Sequence, residues 1–120
     1  MENTDNTNEM DLALEQAKQA YDNKLFALAV KWLTKAAEAG HTKAQYHLGL
    51  CYYYGYLGLK MDDKEAIKWF REAAKAGLTD AKRKLGHILP YNDPEAYQML
   101  KECGDTEEAE RLLDIHQRMI

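Results

Sequence analysis

The chain repeats part of its own sequence at an interval of 37 residues. Segments 29–49 and 66–86 align without a gap, and eleven of their 21 positions carry the same residue. The identical positions include a tryptophan and two glycines in each copy, namely Trp32/Trp69, Gly40/Gly77 and Gly49/Gly86. An internal period of this size is typical of arrays in which each unit buries its apolar face against the next. The repeat therefore predicts a stack of similar units rather than an irregular domain.

Each copy has the apolar spacing of an amphipathic helix. Apolar residues recur three or four positions apart, at Ala29, Trp32, Leu33, Ala36 and Ala37. Gly40 follows, as expected at a helix end that needs a left-handed residue. Thr42 and Thr79, each two residues after a glycine, are predicted to N-cap the next helix. The repeat therefore consists of two helices joined by a short turn.

The rest of the chain extends this pattern at both ends. Met10 to Asp22 predicts a first helix, with an apolar stripe of Leu12, Ala13, Ala17, Ala20 and Tyr21. Asp62 with Glu65 predicts a capping box for the fourth helix. Pro94 predicts the first turn of a sixth helix, and a seventh begins after Gly104. We expect an all-α fold of about seven helices in antiparallel pairs, without strands.

The domain organisation follows from these elements. Residues 1–9 carry no positive charge and no apolar run, and are expected to be a disordered tail. Residues 10–120 are predicted to form one solenoid domain. Its parts are a capping helix at 10–23, a first repeat at 24–61, a second at 62–91 and a degenerate capping unit at 92–120.

Two motifs resemble the Sel1-like repeat, a relative of the tetratricopeptide repeat. The first runs from Lys35-Ala36-Ala37-Glu38-Ala39-Gly40 through Ala44-Gln45-Tyr46-His47-Leu48-Gly49 to Tyr52 and Gly55. The second runs through Gly58, Leu59, Asp62, Ala66 and Trp69. The resemblance implies a right-handed α/α superhelix and a non-catalytic, protein-binding role. It also implies that the helix starting at Thr42 lines the concave surface. Cys51 has no partner at the spacing of the paired cysteines in some secreted relatives, which weakens any analogy to members that bind penicillin-type ligands.

Composition excludes several classes of protein. The net charge of −4 disfavours a nucleic-acid binder, which needs a basic surface. The longest uncharged stretch, residues 48–59, is too short to cross a bilayer. The first residues lack the basic and apolar regions of a secretory signal. A cytoplasmic location is predicted, and a signal removed from the mature chain stays open.

The sequence predicts no catalytic, metal or cofactor site. The chain has no serine, so serine nucleophiles are excluded. Its four histidines, at positions 41, 47, 87 and 116, have no metal-ligand spacing. Cys51 lies beside Leu48 on a predicted buried face, and we expect it to pack as a small apolar residue. Cys51 and Cys103 are expected to be free thiols.

Consecutive tyrosines are the feature that points to a binding surface. Tyr52, Tyr53 and Tyr54 cannot all face one core, because successive helical residues point about 100° apart. If Tyr52 packs inward, Tyr53 and Tyr54 face elsewhere. Other residues on the same side of this helix, and on the same side of its counterpart in the second repeat, are predicted to bind a partner together with them. The predicted partner-binding residues are Lys43, Tyr46, Leu50, Tyr53, Tyr54, Asp80, Arg83 and His87. Exposed tyrosine near basic side chains is typical of interaction hot spots.

These observations lead to a ranked set of functions. The first is a non-catalytic adaptor or scaffold that holds a peptide or protein segment in a concave groove. The second is a small acidic inhibitor or immunity-type protein, which the acidic segment 93–120 would help to steer toward a basic partner. The third, a weak β-lactam-type hydrolase, rests on distant family analogy. A homodimer through an exposed repeat end is a further expectation.

Overall fold

The protein is all-α in the residues that its computed structural model describes. These are the backbone of residues 2–90 and 92–119 and the side chains of residues 11–90, 92–115, 117 and 118. Within them lie seven α-helices, one 3-10 turn at Tyr56–Gly58 and no strand, which confirms the predicted fold class. The helices are α1 (Glu2–Asp22), α2 (Phe26–Glu38), α3 (Thr42–Tyr54), α4 (Asp63–Lys75), α5 (Thr79–Ile88), α6 (Pro94–Glu102) and α7 (Thr106–Met119).

The helices belong to two compact units, one ending at Trp69 and one beginning at Phe70, so that the boundary falls inside α4. In the first unit α1 packs against α2, α2 packs against α3, and the 3-10 turn contacts both α2 and α3. In the second unit α5 packs against α6, and α6 packs against α7.

Four connections between helices use the same turn. At Gly40 the backbone φ is +96°, the Gly40 N–H donates to the Ala37 carbonyl, and the His41 N–H donates to the Ala36 carbonyl. This is a Schellman motif, with glycine in the left-handed C′ position. The same pair of hydrogen bonds recurs at Gly77 and Gly104. The fourth connection places Lys24, at φ +62°, where the others have glycine.

The predicted threonine caps are wrong, and the turn geometry explains why. The residue after the left-handed position closes the Schellman motif and is also the N-cap of the next helix. His41 and Leu78 occupy this place, so Thr42 and Thr79 become the first helical residues of α3 and α5. His41 caps with its ring, because its Nδ1 accepts a hydrogen bond from the Ala44 N–H at 3.3 Å.

The N-cap predicted at Asp62 and the helix start predicted at Pro94 agree with the structure, whereas Glu65 does not complete the predicted capping box. Asp62 Oδ1 accepts hydrogen bonds from the backbone N–H groups of Lys64 and Glu65 at 3.1 and 3.2 Å. The Asp62 N–H donates to the Tyr52 carbonyl at 2.9 Å, so it does not need the return bond of a capping box. Pro94 lies in the first turn of α6 and directly follows the N-cap residue, Asp93.

Alanines dominate the helix contacts of the first unit. In the part of α1 with described side chains, the buried residues are Ala13, Ala17 and Ala20. In α2 they are Ala29, Leu33, Ala36 and Ala37. Small side chains allow helix axes to approach closely, and Leu48 and Trp69 fill the wider parts of the core. Tyr52 packs against this core, as the sequence predicts.

The stripe predicted along α1 is only partly buried. Leu12 and Tyr21 were assigned to it, but they are 58% and 57% exposed. The helix also begins earlier than the predicted Met10: its backbone continues to Glu2 through residues predicted to be a disordered tail. No proline or glycine interrupts residues 2–9.

The second unit contains a close helix approach and a bidentate ion pair. An added Cβ at Gly86 of α5 would lie 2.5 Å from Leu100 Cγ of α6, so only glycine fits there. Arg71 of α4 donates two hydrogen bonds to the Glu95 carboxylate of α6, at 3.0 and 2.6 Å. This bidentate pair lowers the pKa of Glu95.

Lys24→Gly is expected to stabilise the protein by about 1 kcal/mol, because it removes the cost of a left-handed side chain. Urea unfolding measures the change. Lys31→Gly, in the exposed interior of α2, is the control and should destabilise by about 1 kcal/mol. Equal losses in both variants would contradict the strain at Lys24.

Gly86→Ala is expected to destabilise the protein by about 1–3 kcal/mol, because the new methyl group meets Leu100. The measurement is a double-mutant cycle with Leu100→Ala, which makes room for the methyl group. We expect the second change to cost much less in the Gly86→Ala background than in the wild type. Additive effects would show that the contact is not the cause.

Candidate functional site

An apolar groove of about 650 Å³ opens on the surface of the first unit, between α1, α2, α3 and the 3-10 turn. We call it the apolar groove. Most of its lining is aliphatic or aromatic, and Lys18, Asp22 and His47 add polar groups. It is lined by Leu14, Ala17, Lys18, Tyr21, Asp22, Phe26, Ala29, Leu33, His47, Leu50, Cys51, Tyr56 and Leu57. Grooves of this size and character are typical ligand or peptide sites.

Three aromatic side chains of the lining are exposed. Tyr21, Phe26 and Tyr56 are 57%, 42% and 54% exposed. The rings of Tyr21 and Phe26 lie 5.9 Å apart in a tilted arrangement. Large exposed rings beside a groove can bury much apolar area when a partner binds.

A second groove, of about 570 Å³, adjoins the first, since Leu14 and Lys18 line both. We call it the polar groove. Its other lining residues are Asp11, Glu15, Gly40, His41, Thr42 and Lys43. His41 Nε2 lies 3.0 Å from Asp11 Oδ1, which ties the start of α3 to α1.

Two titratable groups of the apolar groove have shifted pKa values. The pKa of His47 is lowered, first by burial of the part of the ring that faces the protein and then by the charges of Lys18, Lys43 and His41. Burial raises the pKa of the Cys51 thiol to about 11. A thiol with this pKa is protonated at neutral pH, which supports its interpretation as a packed residue rather than a nucleophile.

The structure distributes the predicted α3 residues over more than one surface. Leu50 lines the apolar groove and Lys43 the polar groove, whereas neither lining includes Tyr46, Tyr53 or Tyr54. The Tyr53 and Tyr54 rings lie edge to face at 4.9 Å. Tyr54, which is 42% exposed, also stacks on Tyr56 of the apolar groove at 5.3 Å.

The predicted α5 residues lie in the second unit and are exposed. Arg83 Nη1 is 3.3 Å from Asp80 Oδ1 within α5. His87 Nε2 is 3.7 Å from Asp105 Oδ2, just before α7. Exposed pairs of this kind contribute little to stability.

Sequence reasoning missed the contribution of α1 and α2 to the apolar groove. Tyr21 was taken for a core residue, and Phe26 was not singled out. The signal was present in α1, where Leu14, Lys18 and Tyr21 recur at helical spacing beside the alanine stripe. Large residues next to a stripe of alanines are left at the edge of a close helix contact.

Among the described side chains, no group of three His, Cys, Asp or Glu residues could hold a metal ion. Cys51 and Cys103 are free thiols, buried and half-buried respectively. None of the described helices combines the length and the apolar character needed to cross a membrane.

Comparisons with known proteins identify the repeat. The Sel1 repeat family matches residues 23–41 and 42–78. A crystal structure of a Sel1 repeat protein from Oxalobacter formigenes is similar, with a TM-score of 0.70 and 25% sequence identity. The similarity covers 94% of this chain and 98% of that one. Among curated proteins, none matches this chain.

Sel1-repeat proteins are generally non-catalytic and mediate protein interactions. The structural similarity covers nearly all of this chain and is consistent with a helical solenoid. Two Sel1 repeats, at residues 23–41 and 42–78, therefore form the middle of this chain, and the predicted resemblance to the Sel1-like repeat family is confirmed.

Proposed function

We propose that the chain is a non-catalytic interaction module that binds a peptide or protein segment in the apolar groove of its first unit. The observation that carries the proposal is the set of exposed aromatic rings, Tyr21, Phe26 and Tyr56, along a groove in a chain of Sel1 repeats. The groove is too open to be a sealed core cavity and too apolar to be an ordinary solvated surface.

The side chains are suited to binding rather than to chemistry. A tyrosine or phenylalanine ring offers a large contact area and loses little rotamer freedom when it is buried. Cys51, the thiol in the lining of the groove, has a pKa of about 11. A partner that places one or two large apolar side chains between Tyr21, Phe26 and Tyr56 would bury surface that is now in water.

The proposal extends the predicted α3 surface. Tyr54 stacks on Tyr56, so Tyr53 and Tyr54 continue the aromatic surface beyond the apolar groove. Tyr46, Leu50 and Lys43 keep their proposed role on α3. We also propose a contact by Asp80, Arg83 and His87 of α5, which Arg83→Ala tests separately.

The identity of the partner distinguishes an adaptor from an inhibitor. The inhibitor alternative stays open because α7 keeps a net negative charge that favours a basic partner surface. Two arginines of α7 pair with three of its four acidic residues, which are Glu107, Glu108, Glu110 and Asp114. A partner that is an enzyme or toxin and loses activity in the complex would assign the inhibitor role.

Tyr21→Ala/Tyr56→Ala is expected to reduce recovery of a partner from native lysate about tenfold or more, because truncation of hot-spot aromatics commonly costs above about 1–2 kcal/mol. Quantitative mass spectrometry measures the recovery. Tyr53→Ala/Tyr54→Ala should weaken binding of the same partner. Circular dichroism should show unchanged helix content in both double variants.

Leu12→Ala/Met61→Ala is the matched control, since it removes two apolar side chains that are 58% and 70% exposed and lie outside the groove lining. It should recover the partner as the wild type does. Equal recovery by all variants, or equal loss in the control, would contradict the proposed site.

The lowered pKa of His47 gives a test of the groove's electrostatics in the unliganded protein. A histidine whose folded pKa lies below its unfolded value, about 6.5, binds a proton more readily in the unfolded chain. Stability should therefore fall as the pH drops below about 6.5. His47→Gln should lose less stability than the wild type in urea unfolding between pH 7.5 and 5.5. The same pH dependence in both proteins would contradict the shift.

A further inference from the structure

We propose that the segment bound in the apolar groove carries a carboxylate beside its large apolar side chain, and that this carboxylate lies against Lys18 and Lys43. The inference names the chemistry of the partner and rests on the proposed function. It concerns the place where the apolar groove meets the polar groove.

The two grooves form one continuous surface along α1. Leu14 and Lys18 belong to both linings. Tyr21, three residues after Lys18 and therefore about 4.5 Å further along the helix axis, belongs only to the apolar groove. An extended peptide advances about 3.3 Å per residue. A carboxylate one or two residues from an apolar side chain could therefore reach Lys18 while that side chain lies at Tyr21.

Both lysines are available for such a contact. Lys18 and Lys43 are exposed, and neither ammonium group has an ion-pair partner among the described side chains. Asp11, which also lines the polar groove, has its Oδ1 3.0 Å from His41 Nε2 and forms no ion pair with either lysine among the described side chains. Lys18 therefore offers positive charge where the two grooves meet, and Lys43 offers it within the polar groove.

The remaining acidic residues lie on either side of this junction. Glu15 lines the polar groove, and Asp22 lines the apolar groove one turn beyond Lys18. At His47 itself, the charges that act on the ring are those of Lys18, Lys43 and His41, and all three disfavour a further positive charge. A basic side chain placed beside His47 would meet the same repulsion, whereas a carboxylate placed there would be attracted.

The contact between the carboxylate and the lysines would contribute mainly to the specificity of binding and less to its affinity. An exposed ion pair contributes little net free energy, but a like charge in the same place costs more. Apolar contact with Tyr21, Phe26 and Tyr56 would supply most of the affinity. The lysines would select acidic segments among the apolar ones.

The experiment selects peptides from a random twelve-residue display library on the immobilised full chain. We expect the wild type to enrich peptides with Asp or Glu one or two residues from Leu, Phe, Tyr or Trp. Lys18→Glu/Lys43→Glu should enrich Lys or Arg in place of the acidic residue and keep the apolar one. A selected acidic peptide should bind that variant at least tenfold more weakly than the wild type, by fluorescence polarisation at low salt.

Lys31→Glu/Lys60→Glu is the matched control, with two exposed lysines outside both groove linings. It has the same net charge as the test variant and should bind the selected peptide as the wild type does. Equal weakening in test and control would overturn the local contact and leave only an effect of net charge.

The outcomes also separate this inference from the proposed function. Apolar peptides without acidic enrichment, still lost in Tyr21→Ala/Tyr56→Ala, would overturn the carboxylate contact and leave the groove as a binding site. Enrichment of basic residues by the wild type would overturn the carboxylate contact and would indicate that the peptide instead pairs with Glu15 and Asp22. Peptides that bind Tyr21→Ala/Tyr56→Ala as well as the wild type, or no enriched peptides, would overturn both proposals.

Discussion

The close approach of alanine-faced helices is the constraint on which the first unit depends. The buried side of α1 consists of Ala13, Ala17 and Ala20 in its described side chains, and α2 meets it with a face of mostly alanines. Such a contact is close because no large side chain holds the axes apart. For the same reason it cannot enclose Leu14 or Tyr21, which flank the stripe. The packing that joins the helices therefore leaves large residues at their edges, and these line the apolar groove.

The turn between helices is the second constraint, and it is set by backbone hydrogen bonds. A left-handed residue at 24, 40, 77 or 104 lets two N–H groups bind carbonyls at the end of the preceding helix. The next residue leads directly into the following helix, so the connection has one length. Glycine removes the steric cost of this geometry at three of the four positions. Two of these glycines, Gly40 and Gly77, lie 37 residues apart and belong to the repeated segments 29–49 and 66–86.

The sequence predicted those parts of the fold that depend on local rules. The glycine positions, the cap at Asp62 and the proline at the start of α6 follow from backbone geometry that a short segment determines. Thr42 and Thr79 were misassigned because cap preference was read without the Schellman bonds, which fix the cap one residue earlier. The site was harder to predict. Leu50 follows from α3 alone, whereas the roles of Tyr21 and Phe26 depend on how α1 and α2 pack together.

The residue that closes each turn can vary because its side chain is not needed for the turn. Its backbone N–H makes the Schellman bond, and the side chains there are Leu25, His41, Leu78 and Asp105. In the first unit this variable position carries an imidazole that does two things. Its Nδ1 caps α3, and its Nε2 contacts Asp11 of α1, so one ring fixes the start of one groove wall against the other. That contact also holds the Asp11 carboxylate against His41 within the polar groove. A position whose side chain is not needed for the turn thus shapes the geometry of the surface where we propose that a partner binds.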